Sequence, residues 1–314
     1  MNGLSKESVT FLEIDESGDA QRIDNFLFRH LKGVPKSHIY RMLRGEVRVN
    51  KKRVDQTYRL KLGDLLRIPP VRVAKKDEVP QVYIPAVELP ILYEDDALMA
   101  VNKPAGIAVH GGSGVSFGVI EQMRRARPEA KFLELVHRLD RETSGVLLLA
   151  KKRSALTAMH EIMREGNSDK RYLALVLGQW NNVRQHVKLP LHKVDTQGGE
   201  KRVMVREDGK ISHTIFMLQK NWPGYSLLEA QLKTGRTHQI RVHLSHLGFP
   251  IAGDDKYGDF ARNRELMKLG LKRMFLHAQS ISFNHPLTGE MLEISAPLPA
   301  ELQGFIARLD AKQG

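Results

Sequence analysis

A cluster of charged and hydroxyl residues lies between two apolar runs at residues 135–150, in the stretch Leu135-Val-His-Arg-Leu-Asp140-Arg-Glu-Thr-Ser-Gly145-Val-Leu-Leu-Leu-Ala150. A glycine between a polar cluster and an apolar run predicts a turn that leads the chain into a buried strand. We therefore expect Asp140 to lie in a loop at the rim of a sheet, where a rigid scaffold can present its carboxylate to a substrate. The alternative is a surface loop whose arginine and aspartate side chains pair only with each other.

Two further segments also place charge beside an apolar strand. They are Lys170-Arg-Tyr172-Leu and Thr234-Gly-Arg-Thr-His-Gln-Ile-Arg241-Val-His243. A carboxylate such as that of Asp140 can act as a general base or as a nucleophile. The loop that follows Lys103 is rich in glycine but lacks the Gly-Lys-Ser/Thr of a phosphate-binding loop, so we expect it to form a wall of a site.

The positive charge of the chain is concentrated in one short region. The formal net charge is +13, and residues 20–76 hold sixteen lysines and arginines but only four aspartates and glutamates. So local an excess indicates a polyanionic partner, because each phosphate that a basic side chain neutralises releases condensed counterions.

The same region predicts a small domain with two helices and a β-hairpin. Apolar residues recur at helical spacing from Arg22, and Ser37 is predicted to cap a second helix that ends at Gly45. Apolar and basic residues then alternate over residues 47–54 around Asn50, as in a hairpin, and a short strand follows at residues 65–68.

This order of elements resembles the S4 RNA-binding domain. The matching residues are Arg22-Ile-Asp-Asn-Phe-Leu27, Ser37 to Gly45, Val47-Arg-Val-Asn50-Lys-Lys and Gly63-Asp64. The resemblance implies that the domain binds RNA. The basic side chains that its helices and hairpin would concentrate on one surface are Lys36, Arg41, Arg44, Arg48, Lys51, Lys52 and Arg53.

Composition divides the chain into four parts. Residues 1–19 are predicted to be a partly ordered N-terminal arm, residues 20–76 the S4 domain, residues 77–90 a proline-rich linker, and residues 91–314 a second, larger domain. Short apolar or alternating runs in the larger domain predict neighbouring strands that are mainly antiparallel, with helices between and after them. The predicted fold class is α+β: the small domain is followed by a mainly antiparallel mixed sheet flanked by helices.

The three polar segments together resemble the RluA family of pseudouridine synthases, which isomerise chosen uridines of RNA without a metal or an organic cofactor. Asn102-Lys-Pro-Ala-Gly106 and Gly253-Asp-Asp-Lys-Tyr257-Gly258 also match the family. With the flanks Tyr93-Glu-Asp-Asp96 and Val109-His-Gly-Gly-Ser-Gly114, the resemblance is strongest to the members that modify 23S ribosomal RNA.

The resemblance implies roles for individual residues. Asp140 would be the catalytic carboxylate, Tyr172 would pack against the target base and assist removal of its C5 proton, and Arg241 would pair with Asp140. Attack on the sugar, addition to the uracil ring and removal of a ribose proton all remain open for Asp140. The substrate-binding residues would be Arg138, which would fill the place of the flipped nucleotide, with Ile240, Arg236 and His238.

No metal site is expected, because His238, His243 and His246 lack the spacing of a zinc motif. The resemblance likewise implies that no cofactor is required. We expect these histidines to pack in a helix or to contact RNA phosphate. The predicted partner is 23S ribosomal RNA, either free or in a pre-50S particle.

The chain has no cysteine, no signal peptide and no apolar run long enough to cross a membrane, so we expect it in the cytoplasm. We also expect it to be a monomer. Two rival functions remain: a non-catalytic RNA-binding or ribosome-assembly protein, and a pseudouridine synthase that acts on tRNA.

Overall fold

The computed structural model describes residues 8–31, 33–71, 84–112, 117–195 and 201–312. The chain divides into two compact units. The small unit runs up to Tyr83 and includes Lys152–Ser154, and the large unit comprises the remainder. Of the predicted linker, residues 77–83 lie outside the described residues, and residues 84–90 have no regular secondary structure.

The small unit is a three-stranded sheet covered by two helices. Its elements are β1 Thr10–Glu13, α1 Ile23–His30, α2 Lys36–Gly45, β2 Arg48–Val49 and β3 Leu65–Ile68. The strand order is β1-β3-β2, and both pairings are antiparallel. The helices bury residues at spacings of three and four positions, as an amphipathic helix does when it packs on a sheet. These residues are Ile23, Phe26 and Leu27 in α1, and Ile39, Met42 and Leu43 in α2.

Three details of the small unit differ from the prediction. Residues 10–13 of the predicted arm form β1 and Ile14 is buried, because these residues pair with β3 and the segment beside it, about fifty or more positions away. Ser37 caps nothing: α2 already begins at Lys36, after Pro35, whose φ of −57° suits the start of a helix.

The predicted hairpin over residues 47–54 is reduced to a tight turn. Asn50 and Lys51 have left-handed φ angles of 50° and 66°, and Lys52 forms a single bridge back to Val49. The Asn50 side chain donates to Asp64 Oδ1 at 2.8 Å and accepts from the Leu65 amide at 2.9 Å. These bonds tie the turn to β3, so the strand partner of β2 is β3, and the bridge between Val49 and Lys52 is what remains of the predicted hairpin.

The large unit is built mainly from strands. From Ile91 onward the elements are β4 Ile91–Glu94, β5 Leu98–Lys103, α3 Val119–Ala126, β6 Glu134–Leu135, β7 Ser144–Ala150, α4 Arg153–Glu165, β8 Ser168–Leu177, β9 Arg184–Lys188, β10 Leu191–Asp195, β11 Lys201–Val205, β12 His213–Trp222, β13 Tyr225–Leu232, α5 Gln239–His246, α6 Phe260–Lys268, β14 Leu276–Asn284, β15 Met291–Ser295 and α7 Ala300–Ala311.

One mixed sheet organises this unit. Its strand order is β4-β5-β7-β14-β8-β13-β12-β9, with β6 added to β7 and β15 added to β14. Within this sheet β7 and β14 run parallel and the other described pairings are antiparallel. The predicted α+β class and mainly antiparallel mixed sheet are therefore confirmed. Strands β10 and β11 form a separate two-stranded sheet.

The predicted turn into a buried strand at Gly145 is present. All seven residues of β7 are buried. Gly145 has a φ of +113°, and a Cβ at this position would collide with the backbone of Ala278, where β7 meets β14. Only glycine tolerates both conditions, so it allows the chain to pass from the Asp140 loop directly into the centre of the sheet.

The sequence did not predict β9, β10 or α6. Each of them has too few buried apolar residues to produce a clear hydrophobic period; β9, for example, has one buried residue in five. Within the described ranges, no helix has the length and apolarity needed to span a bilayer.

Candidate active site

A cavity of about 1070 Å³ in the large unit gathers the predicted site residues. It is lined by the Asp140 loop, by the start of β8, by residues 232–241 around the start of α5, and by the loop after Lys103. All seven residues predicted to be catalytic or substrate-binding in this unit line it: Arg138, Asp140, Tyr172, Arg236, His238, Ile240 and Arg241. The loop after Lys103 forms a wall, as expected.

The Asp140 loop connects β6 to β7 and is held by backbone contacts. The Thr143 amide donates to the Asp140 carbonyl at 3.1 Å, and the Gly106 amide donates to the Arg141 carbonyl at 2.9 Å. The Asp140 side chain is 24% exposed. The carboxylate therefore faces the cavity from a loop whose backbone is fixed on two sides.

Lys103, which we did not predict to have a role, braces this loop from behind. Its ammonium group is fully buried and donates to the carbonyls of Pro104, Ile107 and Arg141 at 2.8, 2.8 and 3.0 Å. Burial lowers the pKa of Lys103 to about 7, and the nearby charges of Glu142 and Asp140 oppose the shift. The three acceptors match the three N–H groups of an ammonium ion.

Arg241 lies in the first turns of α5 and connects two carboxylates. Its Nη1 donates to Asp140 Oδ2 at 3.1 Å, and its Nε and Nη2 donate to the two oxygens of Asp254 at 2.8 and 2.7 Å. The Arg241 side chain is 6% exposed and that of Asp254 is fully buried. Burial alone would lower the pKa of Arg241, but the two carboxylates more than offset it and raise the pKa above its ordinary value.

Asp254 is itself held in place. Its Oδ1 accepts from the backbone amides of Lys256 and Tyr257 at 2.8 and 3.0 Å. Burial acts to raise the pKa of Asp254, but the hydrogen bond and charge of Arg241 hold it below its ordinary value. Asp254 therefore stays ionised and fixes the direction in which the Arg241 guanidinium points.

His238 and Tyr257 form a second contact beside Asp140. His238 has a left-handed φ of 54°, which is uncommon for a residue other than glycine, and it places the imidazole in the cavity wall. Its Nε2 lies 3.8 Å from Asp140 Oδ1, and its Nδ1 lies 2.8 Å from the Tyr257 hydroxyl. Because that hydroxyl accepts from the Val203 amide, its own proton is free to be donated to Nδ1. Burial lowers the pKa of His238, so the neutral imidazole presents Nε2–H towards the carboxylate.

Tyr172 lies on β8 and is 8% exposed. It packs in the same apolar cluster as Leu139 and Ile240, which belong to the other two polar segments. Burial, assisted by the charge of Asp140, raises the pKa of Tyr172. The side chain is therefore a neutral phenol at the wall of the cavity, a state that favours packing against a base over removal of a proton.

The rim of the cavity is strongly basic. Arg138 and Arg236 are exposed, and Arg236 Nε donates to the Ile211 carbonyl at 3.1 Å. Further basic residues that line the cavity are Arg164, Lys170, Lys193 and Lys233. A concave site surrounded by positive charge attracts polyanions and raises their local concentration.

The two histidines of α5, His243 and His246, differ from each other. His243 is fully buried, so its role is packing and not contact with RNA, whereas His246 is exposed. In the part of the chain that the structure describes, no group of three or more histidine, aspartate or glutamate side chains could hold a metal ion.

Basic side chains predicted to bind RNA are distributed over α2, β2 and the turn after it. Six of the seven are exposed and Arg48 is half-buried. Asp254, Tyr257 and Lys103 are the site residues to which we had assigned no role. Asp254 and Tyr257 lie in segment 253–258 and Lys103 lies in segment 102–106. Both segments match the family named in the sequence analysis, and this match is the feature of the sequence that could have indicated a role for these residues.

Two family models match the chain. The model described as RNA pseudouridylate synthase matches residues 97–246, and that of the S4 domain matches residues 21–66.

Full-length relatives and solved structures agree with these matches. Ribosomal large subunit pseudouridine synthase C of Pasteurella multocida is 53% identical over 308 residues, which span 96% of this chain and 94% of that protein. The protein of that name from Escherichia coli K12 is also 53% identical, over 96% of both chains. The solved structure of human RNA pseudouridylate synthase domain containing 4 aligns with a TM-score of 0.59 at 27% identity, and covers 70% of this chain and 92% of that one.

Proposed function

The chain belongs to the RNA pseudouridylate synthase family, and from this premise we propose that it isomerises specific uridines of 23S ribosomal RNA to pseudouridine. The names of its full-length relatives supply the large ribosomal subunit as the source of the RNA. The S4 domain in front of the catalytic unit supports RNA as the partner.

The reaction exchanges two bonds within one nucleotide. The bond from ribose C1′ to uracil N1 breaks, a bond from C1′ to C5 forms, the proton leaves C5, and N1 gains a proton. Atoms and electrons balance without a co-reactant, so the site must supply a carboxylate, a pocket in which the detached base can turn, and a path for the proton.

Asp140 is the catalytic carboxylate in this proposal. It is the acidic side chain that faces the cavity from a fixed loop, and Arg241 holds one of its oxygens. The other oxygen remains available to the sugar or to the base. Attack at C1′, addition to the uracil ring and removal of the ribose 2′ proton each require an ionised, oriented carboxylate.

Arg241 keeps Asp140 oriented, and Asp254 keeps Arg241 oriented. A planar guanidinium that is bound at two points by Asp254 has a fixed direction for its third donor. This chain of contacts supplies the pre-organisation that the chemistry requires.

Tyr172 and Ile240 form the walls against which the uracil ring packs. Since burial raises the pKa of Tyr172, the side chain acts as a phenol that stacks and hydrogen-bonds while the base turns. Ile240 is 4% exposed and lies in the same apolar cluster.

The target uridine must leave its helix before it can react. Flipping a base out of a stack costs a few kcal/mol, and a planar guanidinium that stacks in the vacated place recovers part of it. Arg138 is exposed at the cavity, two residues before Asp140, and fits this role. Arg236 and His238 then contact the backbone or the ribose of the flipped nucleotide.

Three finer features belong to the same proposal. We propose that the chain acts as a monomer, in the cytoplasm, on RNA that is free or assembled into a pre-50S particle. The observation that carries the proposed function is the Asp140–Arg241–Asp254 arrangement in a cavity lined by all seven predicted residues.

Mapping pseudouridine in the source organism tests the function. A strain without this protein should lose pseudouridine at defined positions of 23S ribosomal RNA, and the wild-type protein but not Asp140→Asn should restore it. If the protein only bound RNA, the wild type and the variant would restore it equally, and if it acted on tRNA, the 23S RNA would be unchanged in the deletion strain. Either result would contradict the proposal.

A further inference from the structure

The outer face of the small unit's sheet carries an aromatic residue in line with two arginines. In the register of the sheet, Phe11 of β1 lies opposite Arg67 of β3, and Arg67 lies opposite Arg48 of β2. Residues that are directly opposite in an antiparallel pair point to the same face. Phe11, Arg67 and Arg48 therefore form one row across the sheet, which we call the outer row.

The inner face of the same strands is covered. Leu66 and Val49 are buried, and Leu12 packs against the core that they form with the helices. The outer row is only partly covered within the described residues: the Phe11 side chain is 61% exposed, Arg48 and Arg67 are half-buried, and the neighbouring Leu65 is 41% exposed. An isolated exposed phenylalanine is unremarkable on a surface, but an aromatic ring aligned with two guanidinium groups is a more specific pattern.

Both arginines are anchored by the backbone. Arg67 Nη1 donates to the Glu46 carbonyl at 2.9 Å, and Arg48 Nη1 donates to the Val47 carbonyl at 2.8 Å. Among the residues that the structure describes, neither guanidinium forms an ion pair with a carboxylate. Each therefore retains N–H donors that could bind a phosphate, Arg67 beside Phe11 and Arg48 one strand further along the row.

We propose that the outer row binds single-stranded RNA, with one base stacked on Phe11 and the adjacent phosphates bound by Arg67 and Arg48. Every nucleobase has a π face that can stack on an aromatic side chain, and arginine supplies both charge and a stacking plane. A single-stranded segment of the substrate RNA is the occupant, because the row combines one aromatic ring with two guanidinium groups that form no ion pair among the described residues. A protein partner would favour a broader apolar patch with fewer charges at its centre.

The inference rests on the proposed function, in that RNA is taken to be the substrate. It adds a binding surface that the predicted basic residues of α2 and the turn after β2 do not cover. Arg48 is the member that the two surfaces share. Phe11 and Arg67 were not among the residues predicted to bind RNA, and Phe11 lies in the segment predicted from the sequence to be an N-terminal arm.

Salt titrations of the full-length protein separate stacking from charge. Binding of a short oligouridine should weaken roughly tenfold in Phe11→Ala at every salt concentration, with the slope of log affinity against log salt unchanged, because stacking releases no counterions. Arg67→Gln should flatten that slope by about 0.7. Leu62→Ala is the matched control, because Leu62 is 62% exposed in the turn before β3 and lies outside the row. It should bind as the wild type does.

A photochemical cross-link gives a readout that does not depend on a variant. Oligouridine containing 5-iodouridine should cross-link to Phe11 in the wild-type chain, as located by peptide mass spectrometry. Wild-type affinity in Phe11→Ala, cross-links confined to other residues, or a change in self-association without a change in RNA affinity would each overturn the inference. Formation of pseudouridine by the same wild-type preparation tests the proposed function separately.

Discussion

Both carboxylate oxygens of Asp254 accept hydrogen bonds from Arg241, at 2.8 and 2.7 Å. This two-point contact leaves only Nη1 of the guanidinium to reach Asp140, at 3.1 Å. Asp254, which is buried and does not line the cavity, thus determines how the carboxylate of Asp140 is held.

Asp254→Asn tests that relationship. The amide cannot neutralise the guanidinium, so a buried positive charge loses its main partner and the protein should be destabilised by about 3 kcal/mol. The turnover rate kcat should fall at least tenfold while KM changes little, because the substrate does not touch Asp254. Asp255→Asn is the control: its side chain is 76% exposed and lies 3.4 Å from Arg241, so both effects should be much smaller. Equal effects in the two variants would contradict the account.

Lys103→Met removes the brace behind the Asp140 loop while keeping the length of the side chain. The carbonyls of Pro104, Ile107 and Arg141 lose a shared donor, which should destabilise the protein by about 1–3 kcal/mol and lower kcat through displacement of Asp140. Urea unfolding and single-turnover kinetics measure the two effects. Lys268→Met, on the exposed side of α6, should change neither.

His243 predicts a dependence of stability on pH. Burial lowers the pKa of His243 to about 4, and its neutral ring is fully hydrogen-bonded: Nε2 lies 2.8 Å from the Ser212 hydroxyl and Nδ1 3.0 Å from that of Thr214. Between pH 6.5 and 4 the unfolded chain therefore binds a proton that the folded chain does not.

The free energy of unfolding should consequently fall as the pH is lowered through this window, by about 3 kcal/mol from this residue alone. Urea titrations from pH 7.5 to 4 should show this slope reduced in His243→Gln and retained in His246→Gln, whose altered side chain is exposed on the same helix. Identical slopes in the wild type and in His243→Gln would show that His243 does not titrate as inferred.

The basic turn after β2 predicts a measurable share of the salt dependence of RNA binding. Replacement of Lys51, Lys52 and Arg53 by glutamine should flatten the slope of log affinity for ribosomal RNA against log salt by about 0.7–0.9 for each phosphate that these side chains neutralise in the wild type. The matched control replaces Lys268 and Lys272, which are exposed in the large unit, and should leave the slope near the wild-type value. An unchanged slope in the triple variant would mean that this turn does not contact RNA.

Local features of the site could be predicted from the sequence, because they depend on neighbours in the chain. The polar cluster before Gly145 and the apolar run after it indicate a loop that enters a buried strand, and β7 has that form. The contact between Arg241 and Asp254 could not be predicted from pattern, because it depends on how a loop folds back against the first turns of α5.

The errors in the small unit have the same origin. The alternation of residues 47–54 suggests a hairpin, but the side chain of Asn50 binds Asp64 and the Leu65 amide, so β2 pairs with a strand more than fifteen residues away. β1 was not predicted for the same reason: its partner β3 lies across both helices in the chain. The pairing of short strands that are far apart in the chain cannot be predicted from the local periodicity of apolar residues.

The central claim is that Asp140 performs the chemistry, and the most direct measurement is release of tritium from RNA labelled at uracil C5. Asp140→Asn keeps the shape of the side chain and removes its charge, so it should bind RNA with near wild-type affinity, unfold in one cooperative transition as a folded protein does, and release no tritium above background. Asp96→Asn, an exposed aspartate outside the cavity, should release it at the wild-type rate. Release by folded Asp140→Asn at a rate near that of the wild type would contradict the account.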